Sequence, residues 1–149
     1  MKLSRIFIII SIIILFCIIL SIKVVKSNSM YPTLKENDII LTNPLFKVEK
    51  DKIYGFVYKN KNYIKRAIAI TGNVVEIKKG TIYINSIPYK EYYYLENMNP
   101  IKILKNQVFF SGDNFSESFD SKNFGCVDIK SIKFQIIMIL FPFDRWRIF

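Results

Sequence analysis

The chain opens with an uninterrupted apolar run and continues with shorter apolar segments separated by turn residues. Residues 6–22, "IFIIISIIILFCIILSI", contain no charge, and seventeen helical residues span about 26 Å. Extending the run past Lys23 brings it to about 30 Å, the hydrocarbon thickness of a bilayer, because a lysine side chain can reach the interface. The pattern predicts one transmembrane helix over residues 6–25, preceded by a short tail of residues 1–5.

A cleaved signal peptide has the same basic start and apolar run. This run is longer than an ordinary signal core, and the "KVVKS" that follows it lacks a small-x-small cleavage pattern. We therefore expect a retained anchor. The charges do not decide its orientation, because Lys2 and Arg5 flank one end and Lys23 and Lys26 flank the other.

Behind the run the helical period disappears, and β-branched and aromatic stretches alternate with turn residues, as is typical of strands. The predicted strands are "DIILT" (38–42), "KIYGFVY" (52–58), "NYIKRAIAI" (62–70), "VVEI" (74–77), "TIYIN" (81–85) and the start of "QVFFSGDN". The "KKG" turn predicts that 74–77 and 81–85 form a hairpin. Five prolines between Pro32 and Pro142 argue against long helices. We predict a mostly β fold, with a compact β-rich domain over residues 26–149.

Two segments are open to more than one interpretation. The tail "IKFQIIMILF" (132–141) fits either a buried strand or a segment lying at the membrane interface, because periodicity does not separate them. The tyrosine cluster in "YKEYYYLENMNPIK" is interpreted as edge-strand packing rather than a binding surface.

Composition and charge limit the kinds of partner and cofactor that we expect for this chain. Hydrophobic residues make up 51% of the 149, and the net charge is +10, but the lysines are scattered without a basic block. A basic surface beside an anionic leaflet explains this charge, so no nucleic-acid partner is predicted. A disulfide between Cys17, inside the run, and Cys126 is implausible. The sequence has no histidine and no CxxC, and we therefore predict no metal site and no cofactor.

Ser27 and Ser29, in the "SNSMYPTL" that follows the apolar run, are candidate nucleophiles, and a nucleophilic serine needs a base to take its proton. A serine hydroxyl is a weak nucleophile until a neighbour takes its proton, and without histidine a neutral lysine is the strong candidate. Free lysine has a pKa of about 10.4, so a catalytic lysine must be desolvated. Lys65 in "YIKRAIAI" has apolar neighbours, and the charge of Arg66 would lower its pKa further. The alternative is a lysine on the solvent face of an edge strand.

Taken in order, these segments resemble the type I signal peptidase family, the membrane-anchored Ser/Lys endopeptidases that remove signal peptides. "SNSMYPTL" matches the family's Ser-x-Ser-Met-x-Pro-Thr-Leu at every fixed position. "YIKR" is followed by an apolar run and Gly72, as in the lysine motif. "SGDNFSESFDSKNFG" follows the spacing of the last motif. The likeness covers essentially the whole chain, from anchor to Gly-Asp-Asn segment.

The resemblance implies a role for each matching residue. Ser29 corresponds to the nucleophile, and Lys65 to the general base that later protonates the leaving amine. The hydroxyl of Ser27 and the backbone N–H of Ser29 correspond to the oxyanion hole, whose donors meet charge that develops in the transition state. A substrate is expected to bind as an added strand beside the lysine strand.

The remaining implied roles support this centre. Ser118 corresponds to the group that orients the lysine amine, and Asp120 to the partner of the basic residue two positions later, Lys122. The other supporting residues are Asp113 and Asn114. The expected lining of the small pocket that accepts alanine is Met30, Leu34, Tyr63 and Ile64.

The chain departs from the family pattern at four positions. Lys122 stands where arginine is usual, and it keeps the charge but loses the bidentate fork. Phe115 also replaces a frequent arginine, Asn73 replaces an aspartate, and Ser86 replaces a turn glycine. None of these is the expected nucleophile or base. The segment before "SGDN" is short, so any accessory subdomain is small or absent.

The resemblance implies cleavage of signal peptides from exported preproteins after a small-x-small motif, through an acyl-enzyme. The implied partners are those signal peptides and the lipid bilayer. The implied topology is a single pass in the cytoplasmic membrane, with the N-terminus cytoplasmic and the catalytic domain extracytoplasmic. Two alternatives are a dedicated processing peptidase of a transfer or pilus system and an inactive membrane-tethered β module. An inactive copy has no reason to keep all the expected catalytic and supporting residues together.

Overall fold

The computed structural model describes residues 6–12, 14, 21–92 and 96–149. Residues 6–12 and 14 are helical with exposed side chains. Within the described ranges, no helix is both long and apolar enough to reach across a bilayer. Residues 1–5, 13 and 15–20 of the predicted tail and helix lie outside the described ranges, as do residues 93–95, so that of the "YYY" cluster at 92–94 only Tyr92 is described.

The predicted end of the helix is wrong. Ile22–Val24 form a strand, β1, so the helix does not continue to residue 25, and the β-rich part of the chain begins at residue 22 rather than at 26. The physical reason is that β-branched side chains favour an extended backbone and that β1 pairs with a neighbouring strand, Ile22 opposite Leu41 and Val24 opposite Ile39.

Eleven further strands follow β1 in the described part of the chain. They are β2 (Ile39–Asn43), β3 (Ile53–Tyr58), β4 (Lys61–Ile70), β5 (Val74–Lys78), β6 (Thr81–Ile84), β7 (Ile87–Glu91), β8 (Met98–Lys102), β9 (Gln107–Ser111), β10 (Val127–Asp128), β11 (Ile132–Phe141) and β12 (Arg147–Ile148). After β1, the helical elements in the described part of the chain are one short α-helix, Ser121–Phe124, and single 3₁₀ turns at Phe115–Glu117, Ile129–Ser131 and Phe143–Arg145.

The strands form two antiparallel sheets. The large sheet has the order β1-β2-β11-β3-β4-β9-β10, with β12 paired to β11, and the small sheet has the order β7-β6-β5-β8. Strand β4 ends in the large sheet at Ile70, and the turn that contains Gly72 leads into β5 of the small sheet. The small sheet is therefore an insertion between β4 and β9, which are paired with each other in the large sheet.

Three apolar clusters hold these sheets together. One lies beneath the segment that follows β1 and contains Val25, Met30, Leu34, Ile40 and Ile136, all nearly inaccessible to solvent. A second packs the aromatic rings of β3 and β9, with Phe56 stacked on Phe110 at 4.3 Å between centroids. The third joins the small sheet to β4 and β9. The first two clusters lie under the two segments that carry the candidate site.

The prediction of a mostly β fold is confirmed. The predicted hairpin occurs, with Lys78 opposite Thr81 at its turn. The 132–141 segment is the strand β11, which pairs with β2 on one side and β3 on the other. The two edges of the small sheet, β7 and β8, have no counterpart among the predicted strands.

Candidate active site

The segment after β1 is a series of turns anchored by two apolar side chains. Met30 and Leu34 are 1% and 0% exposed, and the N–H of Leu34 donates to the carbonyl of Met30 at 2.9 Å. Between β1 and this anchor, Ser27 is exposed and Ser29 is half-buried. The two hydroxyl oxygens lie 3.0 Å apart, and the N–H of Ser29 donates to the Ser27 oxygen at 3.3 Å.

Lys65 lies in the middle of β4, opposite Tyr54 of β3. It is 3% exposed, so the alternative of a solvent-facing lysine is wrong. Its amine is hydrogen-bonded to the hydroxyl of Ser29, although 36 positions separate the two residues in the sequence. The fold therefore brings together the two residues that the motif order singled out.

The surroundings of Lys65 favour its neutral form. Burial lowers the pKa of the amine to about 8, because desolvation penalises the ammonium. The carboxylates of Asp120 and Asp113 act in the opposite direction, and the Lys122 ammonium lowers the pKa further. The charge of Arg66, expected to lower this pKa, is instead engaged by Asp113 in a bidentate pair, at 2.8 and 2.6 Å.

Asp120 is the centre of a buried hydrogen-bond network beside the lysine. It is 0% exposed and accepts from the N–H of Gly112 at 2.9 Å and from the hydroxyl of Ser118 at 2.7 Å. The amine of Lys122 lies 3.3 Å from the same carboxylate, as expected for a basic residue two positions on. The hydrogen bond that the structure gives the Ser118 hydroxyl is thus to Asp120.

The Gly-Asp-Asn segment fixes the backbone of the serine segment. The N–H of Asn114 donates to the carbonyl of Ser29 at 3.0 Å, and the Asn114 side chain donates to the carbonyl of Asn28 at 3.1 Å. A Cβ at Gly112 would lie 2.2 Å from the Ser118 hydroxyl and 2.5 Å from the Ser29 carbonyl oxygen. Only glycine leaves room for this approach.

A second ion pair, which the sequence did not indicate, holds the other side of the serine segment. The guanidinium of Arg145 contacts both oxygens of Asp38, at 3.1 and 3.0 Å, and donates to the carbonyls of Pro32 and Thr33 at 3.3 Å. The partners are 107 positions apart. A single charged residue in each of two distant segments gives no local signal that they pair.

A cavity of about 440 Å³ opens beside Ser27, between the end of β1 and the first half of β4. Three of the four residues expected to form the substrate pocket, Met30, Tyr63 and Ile64, line it. Leu34 instead lies fully buried in the apolar cluster beneath the serine segment. Phe56 and Phe134 also line the cavity, and Lys26, Asn62 and Lys133 add polar groups to its lining.

The fold and the site together define a β-rich protein in which a serine hydroxyl meets a buried lysine amine, an arrangement suited to acyl transfer. A sequence profile of the family described as "Signal peptidase, peptidase S26" matches residues 1–141. The chain belongs to this family and is a peptidase.

Individual relatives agree with this assignment. "Signal peptidase I P" of Bacillus subtilis subsp. natto is 30% identical over 145 residues, covering 83% of this chain and 78% of the relative. "Signal peptidase IB" of Staphylococcus aureus is 31% identical over 150 residues, covering 83% and 78%. The crystal structure of a signal peptidase I from Enterococcus faecalis V583 has a similar fold, with a TM-score of 0.54 and 22% identity. That match covers 62% of this chain and 98% of the other.

Proposed function

We propose that the protein is a membrane-bound signal peptidase I in which Ser29 is the nucleophile and Lys65 the general base. The observation that carries this proposal is the hydrogen bond between the Ser29 hydroxyl and the buried amine of Lys65. An amine with a pKa of about 8 is partly neutral near physiological pH, whereas an ordinary lysine is almost wholly protonated. Desolvation therefore gives Lys65 a neutral form that can accept the serine proton, the role that histidine has in other serine peptidases.

In the proposed reaction, neutral Lys65 takes the proton of Ser29 as the serine oxygen attacks the scissile carbonyl. The resulting ammonium gives that proton to the leaving amine when the peptide C–N bond breaks, and the acyl-enzyme remains. Lys65 then deprotonates a water that attacks the ester, and the proton returns to Ser29 as the signal peptide leaves with a free carboxylate. Ser118, held by Asp120, is proposed to keep the lysine pocket closed and ordered.

The proposed oxyanion hole consists of the Ser29 N–H and the Ser27 hydroxyl. In the structure the N–H of Ser29 donates to the Ser27 oxygen. A substrate carbonyl would replace this contact and accept from both donors. Because the Ser27 side chain is exposed, it can turn towards that carbonyl once its contacts with Ser29 are replaced, and the two donors meet the charge that appears only in the transition state.

The edges of two strands support substrate binding in an extended conformation. Strand β4 pairs with β3 along Lys61–Arg66, whereas its recorded pairing with β9 begins at Arg66. Within the described residues, Lys61–Lys65 thus have an unpaired edge, and β1 pairs only with β2. Both strands line the 440 Å³ cavity, so a peptide inserted there can hydrogen-bond to their backbones while a small side chain fills the space beside Met30.

A membrane location is supported by the outer face of the large sheet. Ile22, Leu41, Met138 and Ile148 lie opposite one another on four successive strands, so their side chains point to one face. The intervening row contains Ile40 and Ile139, which are buried. We call the first row, with its exposed neighbours Val24, Phe141, Phe143 and Trp146, the outer apolar face.

The outer apolar face continues directly into the apolar N-terminal segment, since β1 begins at Ile22. We propose that this segment anchors the protein and that the outer apolar face rests on the bilayer, with the catalytic part extracytoplasmic. Lys23, in the strand β1 that follows the proposed anchor, lines the cavity with Ser27. The site would then lie where a signal peptide's cleavage site leaves the lipid.

The test is cleavage of a preprotein by the full-length protein in detergent. Ser29→Ala and Lys65→Ala should each lower kcat by about 10⁴-fold or more, since each removes one partner of the proton transfer. Matched controls are Ser131→Ala, in a 3₁₀ turn far along the chain, and Lys102→Ala, exposed on β8 of the small sheet. Wild-type rates in either of the first two variants would reject the assignment.

The same experiment separates the inactive-module alternative, which predicts no cleavage by the wild type. The intact Ser29–Lys65 contact and the retained Ser118–Asp120–Lys122 network favour an active enzyme. Whether the peptidase serves many preproteins or one system is answered by depleting it and mapping the uncleaved precursors.

A further inference from the structure

Two of the departures from the family pattern, Phe115 and Lys122, contact each other. The Lys122 amine lies 4.0 Å from the centroid of the Phe115 ring. The ring is also stacked on Tyr92 at 4.1 Å between centroids, and Lys90 lies 5.1 Å from the Tyr92 ring centroid. Each of the two stacked rings thus has an ammonium group near it, and a cation over a ring face is attracted by the ring.

The Lys122 amine is held in place from several directions at once. It donates to the carbonyls of Ser118 and Phe115, the latter at 3.4 Å, and it lies 3.3 Å from the Asp120 carboxylate. Lysine is a point charge without the fork of arginine, so a single lysine contact fixes its position less well. The Phe115 ring restrains the position of the Lys122 amine, as the second N–H group of an arginine fork would have done.

Tyr92 ties this arrangement to the small sheet. It directly follows β7, and its N–H donates to the carbonyl of Gly80 at 2.8 Å, in the turn between β5 and β6. The ring of Tyr92 therefore has a fixed backbone beneath it. A Phe115 ring backed by Tyr92 is immobilised more firmly than a ring on the short 3₁₀ turn Phe115–Glu117 alone.

We infer that Phe115 is a positioning residue for catalysis, and that its ring, backed by Tyr92, keeps the Lys122 ammonium against Asp120 and so beside the Lys65 pocket. This inference rests on the proposed function of Lys65 as base. It also makes the small sheet part of the active-site support rather than a separate appendage. The residues involved touch no substrate and act through Lys122.

The consequence is electrostatic. The charged groups that act on Lys65 are Asp120, Lys122 and Asp113, and Asp113 is paired with Arg66. Without the ring, Lys122 can turn towards Glu96, which lines the same cavity as Phe115 and Lys122. The Lys65 site then loses a repelling cation, while the Asp120 carboxylate loses its counter-charge. Both changes favour protonated Lys65, so its pKa rises.

The experiment is the pH profile of kcat/KM for preprotein cleavage by the full-length protein. Phe115→Leu keeps an apolar side chain but removes the ring. Because the pKa of Lys65 then rises, the acid limb of the profile should shift to higher pH by about half a unit. At pH 7, which lies on the rising acid limb of the wild-type profile, a shift of this size lowers kcat/KM about threefold. Phe115→Tyr, which keeps the ring, should restore the limb. Phe119→Leu is the matched control, since that ring packs on Phe124 in the same loop.

A merely structural role predicts a different result. If Phe115→Leu lowers the rate equally at every pH, or leaves the profile unchanged, the inference is overturned. Combination with Lys122→Gln gives a second measurement, because Phe115→Leu should shift the limb no further once the cation is absent. Should Phe115→Leu fail to fold, Tyr92→Leu removes the backing of the ring and should move the limb in the same direction. A wild type that cleaves nothing would contradict the proposed function instead.

Discussion

Lys65 combines two features that seldom occur together, a lysine amine and near-complete burial. The residue is 3% exposed, and the pKa of its amine falls to about 8 mainly through desolvation. A buried amine without a carboxylate in direct contact is costly for the fold but useful for proton transfer. The acidic groups nearby are each engaged elsewhere, Asp120 by Lys122 and Asp113 by Arg66.

The first prediction at this scale concerns activity and pH. Because Lys65 must be neutral to accept a proton, kcat/KM should rise about tenfold per pH unit below pH 8 and level off above it. The measurement is the initial rate of cleavage between pH 6 and 10 at subsaturating substrate. A profile that is flat from pH 6 to 8 would contradict a lysine base with this pKa.

The second prediction concerns stability. The folded pKa of about 8 lies below the value of 10.5 for free lysine, so the unfolded chain binds the proton more tightly. Below pH 8 this costs the folded protein about 3 kcal/mol, and the cost decreases as pH rises from 8 to 10.5. Lys65→Met should therefore raise the free energy of unfolding at pH 7 by about 2 kcal/mol while abolishing cleavage.

Urea unfolding in a mild detergent at pH 7 and at pH 10.5 tests this. The gain from Lys65→Met should be present at pH 7 and largely gone at pH 10.5. Lys61→Met, on an exposed position of the same strand, should change stability by less than about 0.5 kcal/mol at both pH values. A Lys65→Met variant that is less stable than the wild type at pH 7 would argue that the amine stabilises the fold.

At the scale of elements, the site depends on a close approach between two segments that glycine permits. Gly112 directly follows β9 and lies against both Ser118 and the Ser29 carbonyl, and a Cβ there would come within 2.2 and 2.5 Å of them. We expect Gly112→Ala to push the Gly-Asp-Asn segment away from Ser29 and to lower kcat/KM by about 100-fold, as for a displacement of about 1 Å.

Gly72→Ala is the matched control for this substitution. Gly72 has φ +91° with no atom within 4 Å of an added Cβ, so alanine there brings backbone strain without a clash. It should cost about 1 kcal/mol of stability and leave kcat/KM within about twofold. Similar kinetics for both variants would show that the approach at Gly112 is not needed for catalysis.

Sequence predicted the strands that are rich in β-branched and aromatic residues and bounded by turn residues. Strands β2 to β6 lie within one or two residues of the predicted segments for this reason. Strand β1 was missed because its Ile-Lys-Val reads as part of the apolar run. Strands β7 and β8 were missed because they are largely exposed and contain Pro88 and Pro100.

At the scale of the whole molecule, the order of the motifs predicted Ser29 and Lys65 as the catalytic pair, and the structure brings their side chains into contact. The contacts that support the candidate site join distant segments, so the sequence contains no local signal for them. The stack of Phe115 on Tyr92 and the pairing of Arg145 with Asp38 join segments that the sequence separates. The same is true of the outer apolar face, whose members come from four strands. Alternation within each strand predicts two faces, but only the register shows that one of them forms a continuous apolar surface.

The outer apolar face leads to a prediction that uses the single tryptophan of the chain, Trp146, which is 63% exposed at its border. If this face rests on the bilayer, as proposed, all tryptophan fluorescence comes from the lipid interface, where amphipathic rings prefer to lie. In the full-length protein reconstituted into vesicles, the emission should be shifted to the blue relative to the urea-unfolded protein. Lipids brominated near the headgroup end of their chains should quench it strongly.

The control places the tryptophan in the small sheet, by Trp146→Phe with Tyr83→Trp, and should be quenched much less. Absence of quenching at Trp146 would mean that the face is directed away from the lipid and that the N-terminal segment alone holds the protein at the membrane. Equal quenching at both positions would mean that lipid contact is not confined to this face, which also contradicts the proposal.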